Sequence, residues 1–200
     1  MSVVTLIVLA TVLFSWQWME RPGKERWMLS PYAVKHHNEK YRVLTHALVH
    51  ADWMHLAFNM FVLYEFGRHV EVEMQKIGAW AMPLLYVLGV LGGALPALAR
   101  HQDNLRYRSL GASGAVSTVL LAFICLHPTE TLLLFFVIPV PAILAGFLFF
   151  LYESKMQQSG NTGIAHDAHI GGAIVGVAWV FLLVPDAWPS FLAELGQWWN

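Results

Sequence analysis

The sequence predicts an all-α integral membrane protein, with six transmembrane helices arranged around a short central helix that carries a serine. Two observations predict this fold class. Apolar residues make up 57% of the 200 residues and charged residues only 12%, whereas soluble domains contain about 25% charged residues. The apolar residues also cluster into six segments separated by polar stretches. We expect one domain over residues 1–200, without a separate soluble domain.

The first half of the chain is expected to contain two of these spans. Val3–Trp18 is apolar and has no basic residues before it, so we expect a retained helix and not a signal peptide. Residues 20–43 hold six Lys or Arg interleaved with aromatic residues, which is typical of short helices at the lipid headgroups. A second span is expected from Trp53 to Phe66 or a little beyond, followed by a charged loop over 68–76.

The third and fourth spans are expected at Ile77–Ala99 and Ser113–Leu126. The fourth span is short: its rise is about 21 Å, against about 30 Å of bilayer hydrocarbon. Ser113 should therefore lie about 9 Å below one membrane surface, and the polar loop 100–109 should dip inward to meet it. Because non-helical backbone at that depth needs protein or water around it, the sequence predicts a water-filled cavity with Ser113 on its floor.

The last two spans are expected at Thr131–Tyr152 and about Ala168–Val184. Pro139 and Pro141 fall in the middle of the fifth span, and because each removes a helix hydrogen bond, this helix should be kinked or loosened. The loop over 153–165 is expected to be mobile. The C-terminal tail holds three tryptophans, which are typical of an interfacial anchor: Trp188, Trp198 and Trp199.

Ser113 has two interpretations, a nucleophile or a packing residue between helices, since small residues commonly line helix interfaces in membranes. His169, Gly172 and Gly176 share one face of the sixth span, and the Gly-x-x-x-Gly spacing lets another helix approach closely. The fourth span offers small residues for a matching face: Ser113, Gly114 and Ser117. If the two faces meet, His169 reaches Ser113 and can take its proton, as a serine nucleophile requires.

Further residues fit a hydrolytic site. His55 and Asn59 lie four residues apart on one face of the second span, where they could help the Ser113 N–H to stabilise a tetrahedral intermediate. No Asp or Glu is expected in the membrane near His169, and Asp167 points to a different face. The sequence therefore predicts a Ser–His dyad without a third member.

Other interpretations of the histidines stay open. His46 and His50 can be structural residues that tie the first loop to the second span. A haem or metal protein is an alternative in which His55 pairs with His169 across two helices, although Asn59 and Ser113 then have no role. No metal, nucleotide or other cofactor is expected, and the net charge of −1 speaks against nucleic acid as a partner.

The sequence resembles the rhomboid intramembrane serine proteases, most of all the compact bacterial GlpG-type members. The resemblance covers nearly the whole chain. It depends on three segments in order within a six-span protein: His50–Asn59, Gly111–Gly114 and Ala168–Gly176. It implies a single rhomboid-like domain with a membrane-embedded first loop over residues 20–43, a mobile cap over 153–165 and a lateral gate in the fifth span.

The resemblance also implies residue roles. Ser113 is then the nucleophile and His169 the general base of a serine endopeptidase that cleaves transmembrane segments, while His55 and Asn59 line the oxyanion hole with the Ser113 backbone. It implies supporting roles for seven further residues: His50, Gly111, Gly114, Gly172, Gly176, Arg42 and Glu71. In many relatives a Tyr stands where this chain has Ser117 and stacks on the catalytic histidine, so here either another group holds the imidazole or the ring is held more loosely. A Trp is frequent at the position of Tyr41.

The expected partners are transmembrane protein substrates and membrane lipid. The resemblance implies a bacterial inner membrane protein with both termini in the cytoplasm and the active site open to the periplasm. The charge pattern opposes this orientation, because the loops after spans one, three and five hold most of the 12 Lys and Arg residues. An inactive relative that only binds transmembrane helices is the alternative function.

Overall fold

The computed structural model describes residues 1–134, 137–159 and 165–199, which fold mainly into helices. The described residues contain nine α-helices: α1 (Val3–Trp18), α2 (Pro31–His36), α3 (Arg42–Thr45), α4 (Trp53–Gln75), α5 (Ala81–Arg100), α6 (Ser113–Leu126), α7 (Ala142–Ser159), α8 (His166–Leu183) and α9 (Ala187–Trp199). Between α6 and α7, strands β1 (Thr131–Leu134) and β2 (Ile138–Pro141) pair antiparallel. The helical fold class expected from the sequence is confirmed, with a hairpin that was not expected.

Helix α6 lies at the centre of the fold. All of its residues except Ser113, Leu120 and Leu126 are buried, and it contacts α4, α5, α7 and α8. A helix that is apolar on every face must be enclosed by other elements or by lipid, and here neighbouring helices enclose it. Its bounds are those predicted for the short serine-bearing helix.

A seam of small residues brings α8 against α6. A Cβ atom on Gly172 would clash with the carbonyl of Gly114, and one on Gly176 would clash with the carbonyl of Thr118. The Thr118 hydroxyl donates to the Gly172 carbonyl at 2.7 Å. The predicted close approach of the two faces is therefore confirmed, with Thr118 and not Ser117 opposite Gly176.

Helix α4 is longer than predicted, because the charged segment 68–76 is mostly helical and not a loop. Glu71, within that segment, is buried, and its carboxylate accepts the N–H groups of Val3 at 2.7 Å and Val4 at 3.1 Å. The first N–H groups of a helix have no partner within it, and its N-terminus favours negative charge. Glu71 thus accepts hydrogen bonds from the free N–H groups at the start of α1. Because these bonds compensate for the burial of its carboxylate, α4 can continue through this position.

The fifth span predicted at Thr131–Tyr152 is wrong in its first half. The chain there forms the β1–β2 hairpin, in which Leu133 lies opposite Pro139. Because proline has no N–H to donate to a helix ladder, α7 begins only after Pro141. At its other end α7 extends into the predicted mobile loop, and residues 160–164 of that loop lie outside the described residues.

The first loop folds into short helical pieces, as predicted for residues 20–43. The Arg42 guanidinium connects three parts of this loop. It donates to the carbonyls of Glu25 at 2.6 Å and Met28 at 3.0 Å, and it pairs with the Glu39 carboxylate. The Arg42 guanidinium holds the pKa of the Glu39 carboxyl below its ordinary value. These contacts fix the loop that approaches the predicted site.

Two helices of the described residues, α5 and α8, are long and apolar enough to cross a membrane. Helices α1 and α6 are apolar but shorter. Helix α4 is long, but its second half carries charged residues, which lowers its hydropathy. The arrangement of six spans therefore stays a prediction.

Candidate active site

Ser113 and His169 form the centre of the candidate site. The Ser113 Oγ atom lies 2.7 Å from Nε2 of His169, the contact that the spacing of the small residues predicts. Ser113 is the first residue of α6 and His169 lies in the first turn of α8, so the glycine seam that joins the two helices also joins these side chains. Both side chains are only partly buried, which leaves room for a reacting group.

The first loop holds the backbone that leads into Ser113. Leu29 and Ser109 exchange two backbone hydrogen bonds, of 2.9 and 3.1 Å. Two residues later, the Gly111 N–H donates to the carbonyl of His46 at 2.9 Å. We call residues 109–112 the entry segment, and its position is set by these contacts.

Gly111 is needed in the entry segment for two reasons. Its φ angle of 110° lies in the left-handed region that side chains disfavour. A Cβ atom there would also lie 2.7 Å from Cε1 of His55. The His55 ring therefore packs directly over the backbone that precedes Ser113.

His50 connects the entry segment to α1. It is fully buried, and its Nδ1 lies 2.9 Å from the Ser15 hydroxyl, which itself donates to the Leu48 carbonyl at 2.8 Å. Since that hydroxyl proton is used, Nδ1 of His50 carries a proton and donates to Ser15, while Nε2 accepts from the Ala112 N–H at 3.3 Å. Burial lowers the pKa of His50 to about 3, which agrees with a neutral ring.

His55 and Asn59 lie on one face of α4, as predicted. Asn59 is buried, and its Nδ2 donates to the carbonyl of His55 at 2.8 Å. One N–H of the Asn59 amide is thereby used inside α4, and the second proton of Nδ2 is available to another acceptor. The structure brings the His55 ring to the entry segment, and the amide of Asn59 lies one helical turn further along.

Glu153 is the site residue that the sequence prediction missed. Its Oε2 atom lies 3.1 Å from Nδ1 of His169 and 2.6 Å from Nδ1 of His166. The expectation of no carboxylate near His169 is therefore wrong, because α7 extends beyond Tyr152 and carries Glu153 inward. The sequence did contain a signal for the longer helix, although not for the partners of Glu153: no glycine or proline interrupts the chain between Gly146 and Gly160, so the helix can continue.

These three side chains also have the chemistry of metal ligands. Donor atoms of Glu153, His166 and His169 all lie within 4.8 Å of one another, and carboxylate and imidazole groups are ligands that Zn²⁺ accepts. The His169 ring, however, has protein atoms close to both nitrogens: Ser113 at Nε2 and Glu153 at Nδ1. A haem iron bound between His55 and His169 must displace one of them, which speaks against that alternative.

Comparison with known proteins identifies relatives. Residues 37–186 match the family model of the Rhomboid domain. The chain is 34% identical over 181 residues to RHOMBOID-like protein 12, mitochondrial, of Arabidopsis thaliana, with 80% of this chain and 53% of the relative covered. It is 34% identical to the same plant's Rhomboid-like protein 11, chloroplastic, over 72% of this chain and 52% of the relative. Rhomboid protein 1, mitochondrial, of Saccharomyces cerevisiae is 33% identical, over 69% of this chain and 40% of the relative.

These relatives correct two expectations. They are proteins of a plant and a yeast whose names specify mitochondria or chloroplasts, so the expected bacterial inner membrane location is contradicted, and they do not support the expected closeness to compact bacterial members. The chain spans about half the length of the curated relatives it matches, or less.

Proposed function

This chain belongs to the rhomboid family, and we propose that it is an intramembrane serine endopeptidase. The observation that carries the proposal is the 2.7 Å contact between Ser113 Oγ and His169 Nε2. An alcohol becomes an effective nucleophile when a base takes its proton, and a neutral imidazole is suited to that near neutral pH.

The proposed reaction has two halves. Ser113 Oγ attacks the carbonyl carbon of the scissile peptide bond and its proton passes to His169 Nε2, which then protonates the leaving amine. The acyl-enzyme is hydrolysed when His169 takes a proton from water, the hydroxide attacks the ester carbonyl and the proton returns to Ser113. The N–H of Ser113, the His55 ring and the Asn59 amide are the proposed donors to the oxyanion.

The proposed substrates are transmembrane segments of other proteins. Six membrane spans, with α6 at their centre, would place Ser113 within the bilayer. A substrate segment would then approach Ser113 laterally, from the surrounding lipid. The short length of α6 and the polar segment before it support this arrangement, since irregular backbone at membrane depth requires a protein or water environment. The names of the relatives favour a mitochondrial membrane as the first location to test.

The test is labelling of the purified full chain with a fluorophosphonate, which reacts covalently with activated serines, together with cleavage of a transmembrane substrate. Ser113→Ala and His169→Ala are each expected to lower cleavage by about 10⁴-fold or more, and Ser113→Ala to abolish labelling. Ser117→Ala is the matched control, because it makes the same change one turn along the same buried helix.

Ser117→Ala should keep both activities. A wild-type chain that binds transmembrane helices but is neither labelled nor proteolytic would instead support the inactive, helix-binding alternative. A Ser113→Ala chain that still cleaves at the wild-type rate would refute the assigned nucleophile.

A further inference from the structure

We propose that Glu153 is a positioning residue for His169, so that this chain uses a Ser113–His169–Glu153 arrangement and not a dyad. The proposal deepens the serine endopeptidase function and rests on it. Glu153 lies on α7, a different helix from those that carry Ser113 and His169. Its Oε2 atom lies 3.1 Å from His169 Nδ1, on the opposite side of the ring from Ser113.

The two ring nitrogens of a neutral histidine have different roles. To accept the Ser113 proton, Nε2 of His169 must be unprotonated, which places the ring proton on Nδ1. A carboxylate oxygen beside Nδ1 favours that tautomer and limits rotation of the ring. It also stabilises the imidazolium that forms when the proton arrives. Glu153 occupies the position from which a carboxylate can do all three.

His166 holds the carboxylate in this position. Its Nδ1 lies 2.6 Å from the same Oε2 atom, and both Glu153 and His166 are buried, at 5% and 3% exposed. A buried carboxylate is costly unless hydrogen-bond donors compensate for the lost water. The Nδ1 atoms of His166 and His169 both lie beside Oε2 of Glu153 and supply that compensation. His169 is also the proposed base.

The arrangement also explains what can hold the His169 ring in a chain that has Ser117 in place of the Tyr found in many relatives. A serine at that position has no ring to lie against the imidazole, and Ser117 is buried within α6. The carboxylate from α7 gives His169 a fixed partner by another route, through a hydrogen-bond acceptor and not through stacking.

The alternative is that Glu153 is a structural link between α7 and α8, paired with His166 alone. The two roles differ in what a charge-removing substitution does to the chemistry in a chain that still folds. Glu153→Gln keeps the size of the side chain and removes the charge, whereas Glu153→Asp keeps the charge. Lys155→Gln is the matched control, because it neutralises an exposed residue on the same helix.

The experiment measures the rate of fluorophosphonate labelling of Ser113, kcat and KM for a transmembrane substrate, and thermal stability of the purified full chain. Glu153→Gln should lower the labelling rate and kcat together by about 10²- to 10⁴-fold, with KM unchanged within about twofold. Glu153→Asp should recover part of the loss, and Lys155→Gln should match the wild type.

Wild-type labelling and kcat in a folded Glu153→Gln chain overturn the inference while the proposed function stands. A wild-type chain that is neither labelled nor active refutes the proposed function itself, and the inference with it. The wild type also offers a test without substitution at Glu153: ¹⁵N NMR of the histidine side chains, with His169 assigned from its absence in His169→Ala. A neutral His169 protonated at Nδ1 is expected, and one protonated at Nε2 overturns the inference even if Glu153→Gln fails to fold.

Discussion

The Nε2 atom of His50 accepts a hydrogen bond from the backbone N–H of Ala112, 3.3 Å away and one residue before Ser113. Through its other nitrogen the same ring donates to Ser15 on α1. A neutral, fully buried histidine therefore joins the first helix to the backbone that leads into Ser113.

Replacing His50 should weaken both the fold and the site. His50→Ala leaves the buried Ala112 N–H and the Ser15 hydroxyl without this partner and opens a cavity, and we expect a loss of about 3 kcal/mol in the free energy of unfolding. Thermal unfolding in detergent measures it. His37→Ala, at an exposed position of the first loop, should have little effect, and an equal loss in the two variants would contradict the role of His50.

The buried histidines before α4 should make the fold sensitive to acid. Burial lowers the pKa of His46 to about 4, below its ordinary value, so between these values the unfolded chain binds more protons than the folded chain. Stability should be fully present above about pH 6.5 and fall as the pH decreases towards 4, by up to about 1.4 kcal/mol per pH unit for this group. Melting temperatures of the wild type and His46→Asn across that range measure the effect, and an unchanged slope in the variant would argue against His46 as a source.

Glu71 and Glu73 should differ in importance although they lie two residues apart on α4. Glu71→Ala removes the acceptor of the Val3 and Val4 N–H groups and should cost about 2–4 kcal/mol of stability. Glu73 pairs with Lys76 at the surface, and Glu73→Ala should cost less than about 1 kcal/mol. Chemical or thermal unfolding of the two variants tests the difference, and similar losses would refute the capping role.

The helix seam should not accept a methyl group. Gly176→Ala places a Cβ atom against the Thr118 carbonyl, where only backbone can give way, and should cost about 3 kcal/mol or more or prevent folding. Gly146→Ala is the control, since its Cβ atom would meet only the flexible side chains of Ile124 and Leu121. Yield of folded protein and melting temperature are the measurements, and a stable Gly176→Ala chain would contradict the close approach.

His55→Ala and Asn59→Ala should each lower kcat by about 10²- to 10³-fold, the size expected for the loss of one oxyanion donor. KM should change little, because the interaction strengthens only in the transition state. Met54→Ala, at an exposed position beside His55, is the control. A loss in KM alone would indicate a role in substrate binding instead.

The sequence predicted α1 and α6 with their observed bounds, because each is an apolar run enclosed by polar residues or proline. The pairing of Ser113 with His169 was predictable from small residues at helical spacing, which carry local information about how closely two helices can approach. The helical structure of the charged half of α4 was not predictable, because the partners of Glu71 are the N–H groups of a helix far away in the sequence.

Glu153 was missed for the same kind of reason. A glutamate after an apolar run usually marks the end of a span, and only the position of His166 and His169 in space shows that it has buried partners. The β1–β2 hairpin replaced an expected helix because two prolines outweighed the apolar composition around them.

The position of Glu153 on α7 has a consequence for timing. Ser113 and His169 lie on helices held together by close glycine contacts, whereas Glu153 lies on α7, which follows the β1–β2 hairpin. An outward displacement of α7 lengthens the distance from Glu153 to His169 without moving Ser113. In the proposed mechanism, proton transfer from Ser113 then occurs only while α7 holds Glu153 beside His169, so the position of α7 sets when the base is at full strength.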